Sequence, residues 1–480
     1  MSAAAGDRKV NRTLATLATS ALAYSLLQTM VAPALPDIQR QLGASTSAVT
    51  WVLTAFLLSA SVTTPVIGRL GDMFGKERVL VAVLIVLGLG TLVSALSSSL
   101  GMLVAGRAIQ GAGGAIFPLA FGIIRDEFPA DRVGTGIGLI SATFGIGGGS
   151  GLVLAGFIVD HLDYTWIFWL ALVMIAGATL ATHLFVPESP VKSPARIDWP
   201  GAAGLGVALT CVLVAVSQGN AWGWGSTRVL GLVGIGLALL VAWTRFELRS
   251  THPLVDIRML RLRGVWTTNV TTVLVGFGMF SAYLLLPQLV AVPKAAGFGF
   301  GASVTAAGIF MLPSAAVMLF AGPLAGTLGT RFGARVPMLA GVAIALLSFV
   351  LFAVAHHASW EIYVASGLNG LGVGLSYAAM ATLIVEAVPQ SQTGIATGMN
   401  TIMRTVGGAL GAQVVASVVS AHVQRAGLPA ESGYTDAFWV SALVLAVALG
   451  CALLIPRRAH PEPVVPEGAQ RLGEPQLVSR

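Results

Sequence analysis

The chain has 480 residues, of which 55% are hydrophobic and only 10% carry a charge, and its formal net charge is +7. Soluble domains carry about 25% charged residues, so this composition excludes an ordinary water-soluble globular protein. The cations recur in short links between apolar runs and form no single basic patch, which argues against a nucleic-acid-binding protein.

Fourteen apolar stretches follow one another along the chain. A bilayer core of about 30 Å needs about 20 apolar residues per helix, and stretches this long that do not alternate are not barrel strands. The stretches cover approximately residues 14–35, 48–68, 79–97, 101–124, 134–159, 166–186, 201–218, 229–246, 266–290, 303–326, 337–355, 361–385, 394–420 and 438–455. We therefore predict an all-α integral membrane protein with 14 transmembrane helices, the first of them an uncleaved span.

The distribution of lysine and arginine predicts the orientation of the chain. If the N-terminus is cytoplasmic, 21 of the 27 cations lie in cytoplasmic segments, four lie outside, and Arg107 and Arg404 fall within spans. Cytoplasmic loops of membrane proteins carry an excess of these residues. We expect a multi-pass protein of the cell membrane, in a bacterial cell the inner membrane, with both termini cytoplasmic.

The chain also repeats itself. Gly68 and Gly75 have counterparts 258 residues later, and Gly134 has one 260 residues later. Spans one to six thus match spans nine to fourteen. The repeat predicts an N-terminal six-helix bundle at 1–190, two inserted helices with their flanking cytoplasmic loops at 191–262, a C-terminal six-helix bundle at 263–456, and a disordered cytoplasmic tail at 457–480.

The link between the second and third spans reads GRLGDMFGKER. With the plan of six, two and six spans, it resembles the major facilitator superfamily, and the chain is most similar to the fourteen-span drug:proton antiporter branch of that family. The resemblance covers almost the whole chain. It implies the major facilitator fold, in which two pseudo-symmetric six-helix bundles face each other across a central cavity and rock against each other.

Five residues of this link match the superfamily signature: Gly68, Asp72, Gly75, Lys76 and Arg78. Glycines permit a tight turn and a close backbone approach, and Asp72 can accept hydrogen bonds from the positive N-terminal end of a neighbouring helix. We predict a conformational latch between the halves, with the two cations holding the link in the cytoplasm. The alternative is a plain positive-inside turn. The second copy has Thr330 at the aspartate position, so the latch is expected in one half only.

Arg107 and Asp37 are the candidate proton-coupling residues. A charge at the centre of a membrane helix costs about 2.5–3.5 kcal/mol on insertion scales, and the resemblance links Arg107 to proton coupling; the alternative is snorkelling to the interface. Leu27 occupies the position where many family members have an aspartate in the first span. Asp37 is then the best candidate proton carrier, or else an interfacial residue at the outer mouth.

Two further groups complete the candidate sites. Four residues are expected to line the substrate cavity: Gln28, Gln110, Asn400 and Arg404. For Arg404, contact with substrate and locking of helix packing remain open. Three glycines fit the antiporter signature of the fifth span: Gly147, Gly151 and Gly156. Small residues four apart allow close helix packing, and the resemblance pairs this span with the tenth.

These features predict a secondary active transporter that exports hydrophobic or amphipathic small molecules, such as drugs, antibiotics or toxic metabolites, in exchange for protons. The alternative is a proton-independent facilitator or a lipid or metabolite exporter of the same fold. A non-transporting sensor would need a soluble domain. The chain lacks a P-loop and a nucleophile–base signature, so we expect no ATP hydrolysis and no enzyme activity. We expect no cofactor, no metal and no nucleic-acid partner. The expected partners are the small-molecule substrate, protons and the lipid bilayer, and the protein is expected to be a monomer.

Overall fold

The computed structural model describes residues 3–189, 198–251, 253–422 and 429–457. Within these ranges 14 helices are long and apolar enough to cross a membrane, which confirms the predicted fold class and span count. The helices are α1 (Ala3–Gln41), α2 (Trp51–Phe74), α3 (Lys76–Ala95), α4 (Leu100–Glu127), α5 (Ala130–His161), α6 (Thr165–Phe185), α7 (Trp199–Trp222), α8 (Thr227–Arg249), α9 (Arg263–Ala291), α10 (Val304–Phe332), α11 (Arg335–Val354), α12 (Ser359–Ala387), α13 (Thr393–Ala421) and α14 (Glu431–Leu453). The predicted tail, apart from Arg457, lies outside the described residues, as do residues 190–197.

Local sequence fixes where several helices begin. Ser99, Asp198 and Ser303 each precede a helix and accept a hydrogen bond from a backbone N–H of its first turn. Such caps satisfy N–H groups that have no partner within the helix. α4 is interrupted by a 3₁₀ turn, Gly111–Ala115, in which the glycines allow close contact with α2.

The outer surface of the bundle is apolar. Val173, Leu180, Phe320 and Leu443 are each more than 60% exposed, whereas the polar side chains of Arg107, Gln110 and Ser348 are fully buried. Contiguous apolar surface of this kind would not be stable in water, and it suits helices that face lipid.

The sequence repeat is visible in the helix packing. In the first half, α1 packs against α5 and α6, and α3 packs against α4 and α6. The second half repeats this arrangement: α9 packs against α13 and α14, and α11 packs against α12 and α14. The repeat extends to hydrogen bonds, since Gln110 donates to Ser94 Oγ at 3.1 Å and Asn369 donates to Ser348 Oγ at 3.1 Å.

The two halves meet along two seams. α5 lies against α10, and α2 lies against α13. The inserted helices α7 and α8 pack on each other, and α7 also contacts α2 and α13 at the second seam. The side of the bundle that holds Gly75, between α2 and α3, is called the link face below, and the opposite side, which holds Asp37, is called the far face.

Candidate transport cavity and gates

A small cavity lies between the halves, surrounded by residues from the middle of α1, α2, α4, α9 and α13. Its volume is about 20 Å³, which is room for one or two water molecules. The principal lining residues are Tyr24, Gln28, Ser61, Thr64, Phe117, Phe280, Thr401 and Arg404. Sites for drug-sized ligands have volumes of about 300–1,000 Å³, so the halves must separate before such a molecule can enter.

Arg404 provides the charge of this cavity. Its guanidinium lies 4.4 Å from the ring centre of Tyr377 and 5.0 Å from that of Phe144, and the two rings stack on each other at 5.3 Å. A cation over an aromatic face is attracted by the ring quadrupole. No carboxylate among the described residues forms an ion pair with Arg404. The side chain therefore both lines the cavity and packs against α5 and α12.

Gln28 also lines this cavity. Its buried Oε1 has no hydrogen-bond partner in the structure. Buried polar atoms usually have a partner, so this oxygen is an acceptor that is free for a donor inside the cavity. The neighbouring Tyr24 stacks on Phe56 at 5.8 Å and meets the edge of Phe117 at 6.2 Å.

The other two residues predicted to line the cavity, Gln110 and Asn400, form hydrogen bonds between helices outside it. Gln110 is fully buried between α3 and α4, where it donates to Ser94 and accepts from Arg107. Asn400 donates to Asn269 Oδ1 at 2.8 Å and to Thr272 Oγ1 at 2.9 Å, which fastens α13 to α9. Neither is among the residues that line the central cavity, and both have the hydrogen-bond partners that buried amides require.

Arg107 is completely buried, which excludes snorkelling in this structure. Nε donates to the carbonyl of Val52 at 3.2 Å, Nη1 donates to Gln110 Oε1 at 2.7 Å, and the guanidinium lies 4.1 Å from the ring centre of Phe56. Nη2 has no partner. No carboxylate among the described residues forms an ion pair with it.

Asp37 lies at the far-face end of α1. It pairs with Arg40 at 2.7 Å and accepts from Gln41 Nε2 at 2.8 Å. The structure does not bring the two predicted proton-coupling residues into contact, since Asp37 binds its neighbours on α1 and Arg107 binds Val52 and Gln110.

At the link face, Asp72 makes the contact that the signature predicts. Its two oxygens accept hydrogen bonds from the backbone N–H groups of Gly394 at 3.1 Å and Ile395 at 3.2 Å, in the first turn of α13. The unpaired N–H groups and the dipole of a helix N-terminus favour a carboxylate there. Gly68 permits this approach, since a Cβ at its position would lie 2.6 Å from the carbonyl oxygen of Gly394.

Lys76 is one of the two cations expected to hold the link in the cytoplasm, and the structure places it inside the protein. It is fully buried, with Nζ 2.6 Å from Asp126 Oδ2 and 3.6 Å from Asp72 Oδ1. Gly122 lies against its aliphatic chain, where a Cβ would come within 2.6 Å of the lysine carbons. A buried ammonium between two carboxylates is held by the pairing itself, so Lys76 connects Asp72 to α4.

The other two predicted residues of the link behave differently. Gly75 adopts φ +110°, a conformation open to glycine, and it abuts Glu188. Arg78 is largely exposed and pairs with Glu188 at 3.0 Å. In the second half, Thr330 donates to the carbonyl of Thr327 in its own helix. Its hydroxyl is thus directed to its own helix, unlike the Asp72 carboxylate.

A second contact of the link face was missed from sequence. Arg125, at the end of α4, donates to the carbonyl of Val388 at 2.7 Å and to Thr393 Oγ1 at 2.6 Å. From the sequence, Arg125 counted only as one of the cations of the cytoplasmic segments. Its position just before α5 carried no signal that distinguishes it from Arg132, which pairs with Asp7 on α1 at 2.9 Å.

The seam between α5 and α10 confirms the predicted pairing of spans five and ten but reassigns its glycines. Gly156 packs against Thr305 of α10, whereas Gly147 and Gly151 face α1, where Thr29 donates to the carbonyl of Gly147 at 2.8 Å. Gly138 and Gly149 occupy the face toward α10 instead. Successive helix residues are rotated by about 100°, so the motif spacing alone does not say which neighbour each glycine meets.

Comparison with known proteins agrees with this geometry. The family model of the Major Facilitator Superfamily matches residues 17–412 and 270–478. An uncharacterized MFS-type transporter of Mycobacterium tuberculosis is 31% identical over 384 residues, which are 77% of this chain and 54% of that protein. The chain therefore spans about half the length of this relative.

Two relatives carry functional names. The multidrug resistance protein Stp of Mycobacterium tuberculosis is 30% identical over 76% of this chain and 67% of its own length. The tetracenomycin C resistance and export protein of Streptomyces glaucescens is 27% identical over 80% of this chain and 71% of its own. The human organic anion transporter MFSD10 shares the fold, with a TM-score of 0.66 at 16% identity over 92% of this chain and 99% of that one.

Proposed function

The chain belongs to the major facilitator superfamily, and from this premise we propose that it exports hydrophobic or amphipathic small molecules across the cell membrane by alternating access. The observation that carries the proposal is a cavity lined by both halves of the bundle. On the link-face side, the halves are joined by the hydrogen bonds of Asp72 and Arg125. Breaking those contacts would open the cavity to the link face. The names of the multidrug resistance and tetracenomycin export relatives support export as the direction.

We place the link face in the cytoplasm, with both termini on that side. The exposed cations Arg78 and Arg331 and the half-buried Arg132 all lie at or near helix ends of that face, and such an excess favours the cytoplasmic side. In this orientation the structure is closed toward the cytoplasm. Accessibility of terminal tags in sealed vesicles tests the placement, and tags on opposite sides of the membrane would refute it.

The cavity chemistry favours neutral or anionic organic substrates over cations. Arg404 lines it without a carboxylate partner, and no carboxylate belongs to the described lining. A positive substrate would meet an unscreened like charge in a medium of low dielectric constant. Flat apolar groups can stack on the rings of Tyr24 and Phe117, while the free Oε1 of Gln28 can accept one hydrogen bond.

We further propose that protons drive the export, with Asp37 as the carrier and Arg107 as the buried cation that influences it. Each proton entering with the membrane potential contributes about 2.3 kcal/mol per 100 mV, which is enough to concentrate a substrate tenfold or more. One observation favours the alternative of a proton-independent facilitator or lipid or metabolite exporter, namely that Arg107 has no carboxylate partner in the described structure.

Everted vesicles that contain the full chain test these proposals together. A fluorescent aromatic acid and a matched aromatic amine serve as probes, and uptake into the vesicle lumen is the equivalent of export. We expect uptake of the acid to exceed that of the amine, and to stop when the membrane potential and the pH gradient are collapsed together. No uptake of either probe, or of a panel of neutral aromatic compounds, contradicts export. Uptake that continues after the potential and the pH gradient are collapsed contradicts proton coupling but not export. Equal uptake of the acid and the amine contradicts the preference for neutral or anionic substrates.

A further inference from the structure

Two adjacent histidines lie beside a glutamate at the far face. His356 and His357 occupy the turn between α11 and α12, and Glu431 is the first residue of α14. His356 Nε2 is 3.2 Å and His357 Nδ1 is 3.5 Å from the same oxygen, Glu431 Oε1. One ligand atom from each of the three residues lies within 4.8 Å of the other two.

These distances approach those of a metal site. Zinc binds histidine nitrogen and carboxylate oxygen at about 2.0–2.2 Å in a tetrahedron, which separates neighbouring ligand atoms by roughly 3.4 Å. Two of the three separations, at 3.2 and 3.5 Å, are close to this value. His357 is 65% exposed, so its ring is free to rotate and close the third.

The surroundings orient the ligands as metal sites require. His356 is buried, and its Nδ1 is 2.7 Å from the carbonyl oxygen of Phe352. A neutral ring that donates Nδ1–H to this carbonyl leaves its Nε2 unprotonated, which is the arrangement found in most histidine ligands of metals. Glu361 Oε2 accepts from the backbone N–H groups of His357 and Ala358, both at 2.9 Å, and fixes the turn that carries the two histidines.

We propose that His356, His357 and Glu431 form a binding site for a divalent transition metal ion of the zinc type, with a fourth position open to solvent. Imidazole nitrogens with one carboxylate suit zinc and its neighbours, whereas calcium and magnesium prefer oxygen ligands alone. The ion joins the α11–α12 turn to the start of α14, two segments that are 75 residues apart in sequence. The proposal stands apart from the central cavity and from the direction of transport.

Zinc titration of the full-length protein, purified without a polyhistidine tag and held in lipid nanodiscs, tests the site by calorimetry. We expect one saturable site per chain, and a loss of affinity of at least about tenfold in both Glu431→Gln and His357→Ala. These two side chains are partly exposed, so their variants should fold. His356→Ala serves as a third variant, with its folding checked by helical circular dichroism.

The matched control is His422→Ala. His422 is exposed on the same face and pairs with Asp436 at 3.6 Å, but lies outside the cluster. We expect its zinc affinity to equal that of the parent protein, and we expect calcium to displace no zinc. Absence of a saturable site, or equal loss of affinity in the control and the cluster variants, would overturn the proposal.

Discussion

Asp72 on α2 and Gly394 on α13 lie 322 residues apart in the chain, and the aspartate Oδ1 accepts a hydrogen bond from the backbone N–H of the glycine at 3.1 Å. This bond and its neighbour at Ile395 connect the two halves of the bundle across the link face. Both partners are buried, so water does not weaken the contact. The bonds can therefore distinguish a closed from an open arrangement of the halves.

Replacing Asp72 with asparagine should favour the open arrangement at the link face. Hydrogen bonds to charged groups contribute about 1.5–3 kcal/mol each, so loss of the charge should raise the open population about tenfold or more. Spin-label distances between the halves at the link face measure this shift. Thr330→Val is the control at the equivalent position of the second half, and it should leave the distances unchanged. Identical distance distributions in Asp72→Asn and the parent protein would argue against a latch.

Replacing Lys76 with methionine should strongly destabilise the fold. The change leaves Asp72 and Asp126 buried without a cation, and breaking a buried pair in this way costs about 3–5 kcal/mol. Unfolding in detergent measures the loss. The double variant Lys76→Met/Asp126→Asn should recover part of it, because one of the uncompensated charges is removed.

Arg78→Met serves as the control for Lys76, since Arg78 is 71% exposed in its pair with Glu188. An exposed pair contributes about 0–1 kcal/mol, so this variant should remain near the parent protein. If Lys76→Met and Arg78→Met lowered the free energy of unfolding equally, the buried pairing of Lys76 would contribute no more to stability than the exposed pair of Arg78.

Replacing Gly138 with alanine should disturb the α5–α10 seam. A Cβ there would collide with the backbone carbonyl of Gly322, and overpacking costs about 1–3 kcal/mol. We expect a lower melting temperature and slower transport. Gly177→Ala is the matched control, because a Cβ at Gly177 on α6 meets nothing within 4 Å. A Gly138 variant as stable and active as the Gly177 variant would mean that the seam can move apart without cost.

Replacing Asp37 with asparagine should remove proton-driven uptake in everted vesicles while leaving substrate binding intact, because the neutral amide cannot carry a proton. Gradient-driven uptake and ligand-induced stabilisation are the two measurements. Asp163→Asn is the control, since Asp163 also lies at the far face and accepts from Gln41 at 3.3 Å. Full uphill transport by Asp37→Asn would exclude this residue as carrier and favour the proton-independent alternative.

Much of the architecture could be read from the chain itself. The 14 apolar runs correspond one to one with the helices, and the repeat of Gly68 in Gly326 anticipated the two similar halves. Composition and length determine helices locally, because each backbone polar group in a lipid-embedded helix bonds within its own segment. The contact of Asp72 with the N-terminal end of a neighbouring helix was also predicted, because a carboxylate is favoured at the positive end of a helix.

Only the tertiary structure decided how the individual side chains are used. It buried Lys76 between two carboxylates, turned Gly147 toward α1, and placed Glu431 beside His356. These facts depend on which helices from distant parts of the chain pack together and at what rotation. Asp126 lies 50 residues from Lys76, Thr29 lies 118 residues from Gly147, and His356 lies 75 residues from Glu431. A local sequence pattern specifies that a residue lies on a helix, but the packing of neighbouring helices determines what its side chain contacts.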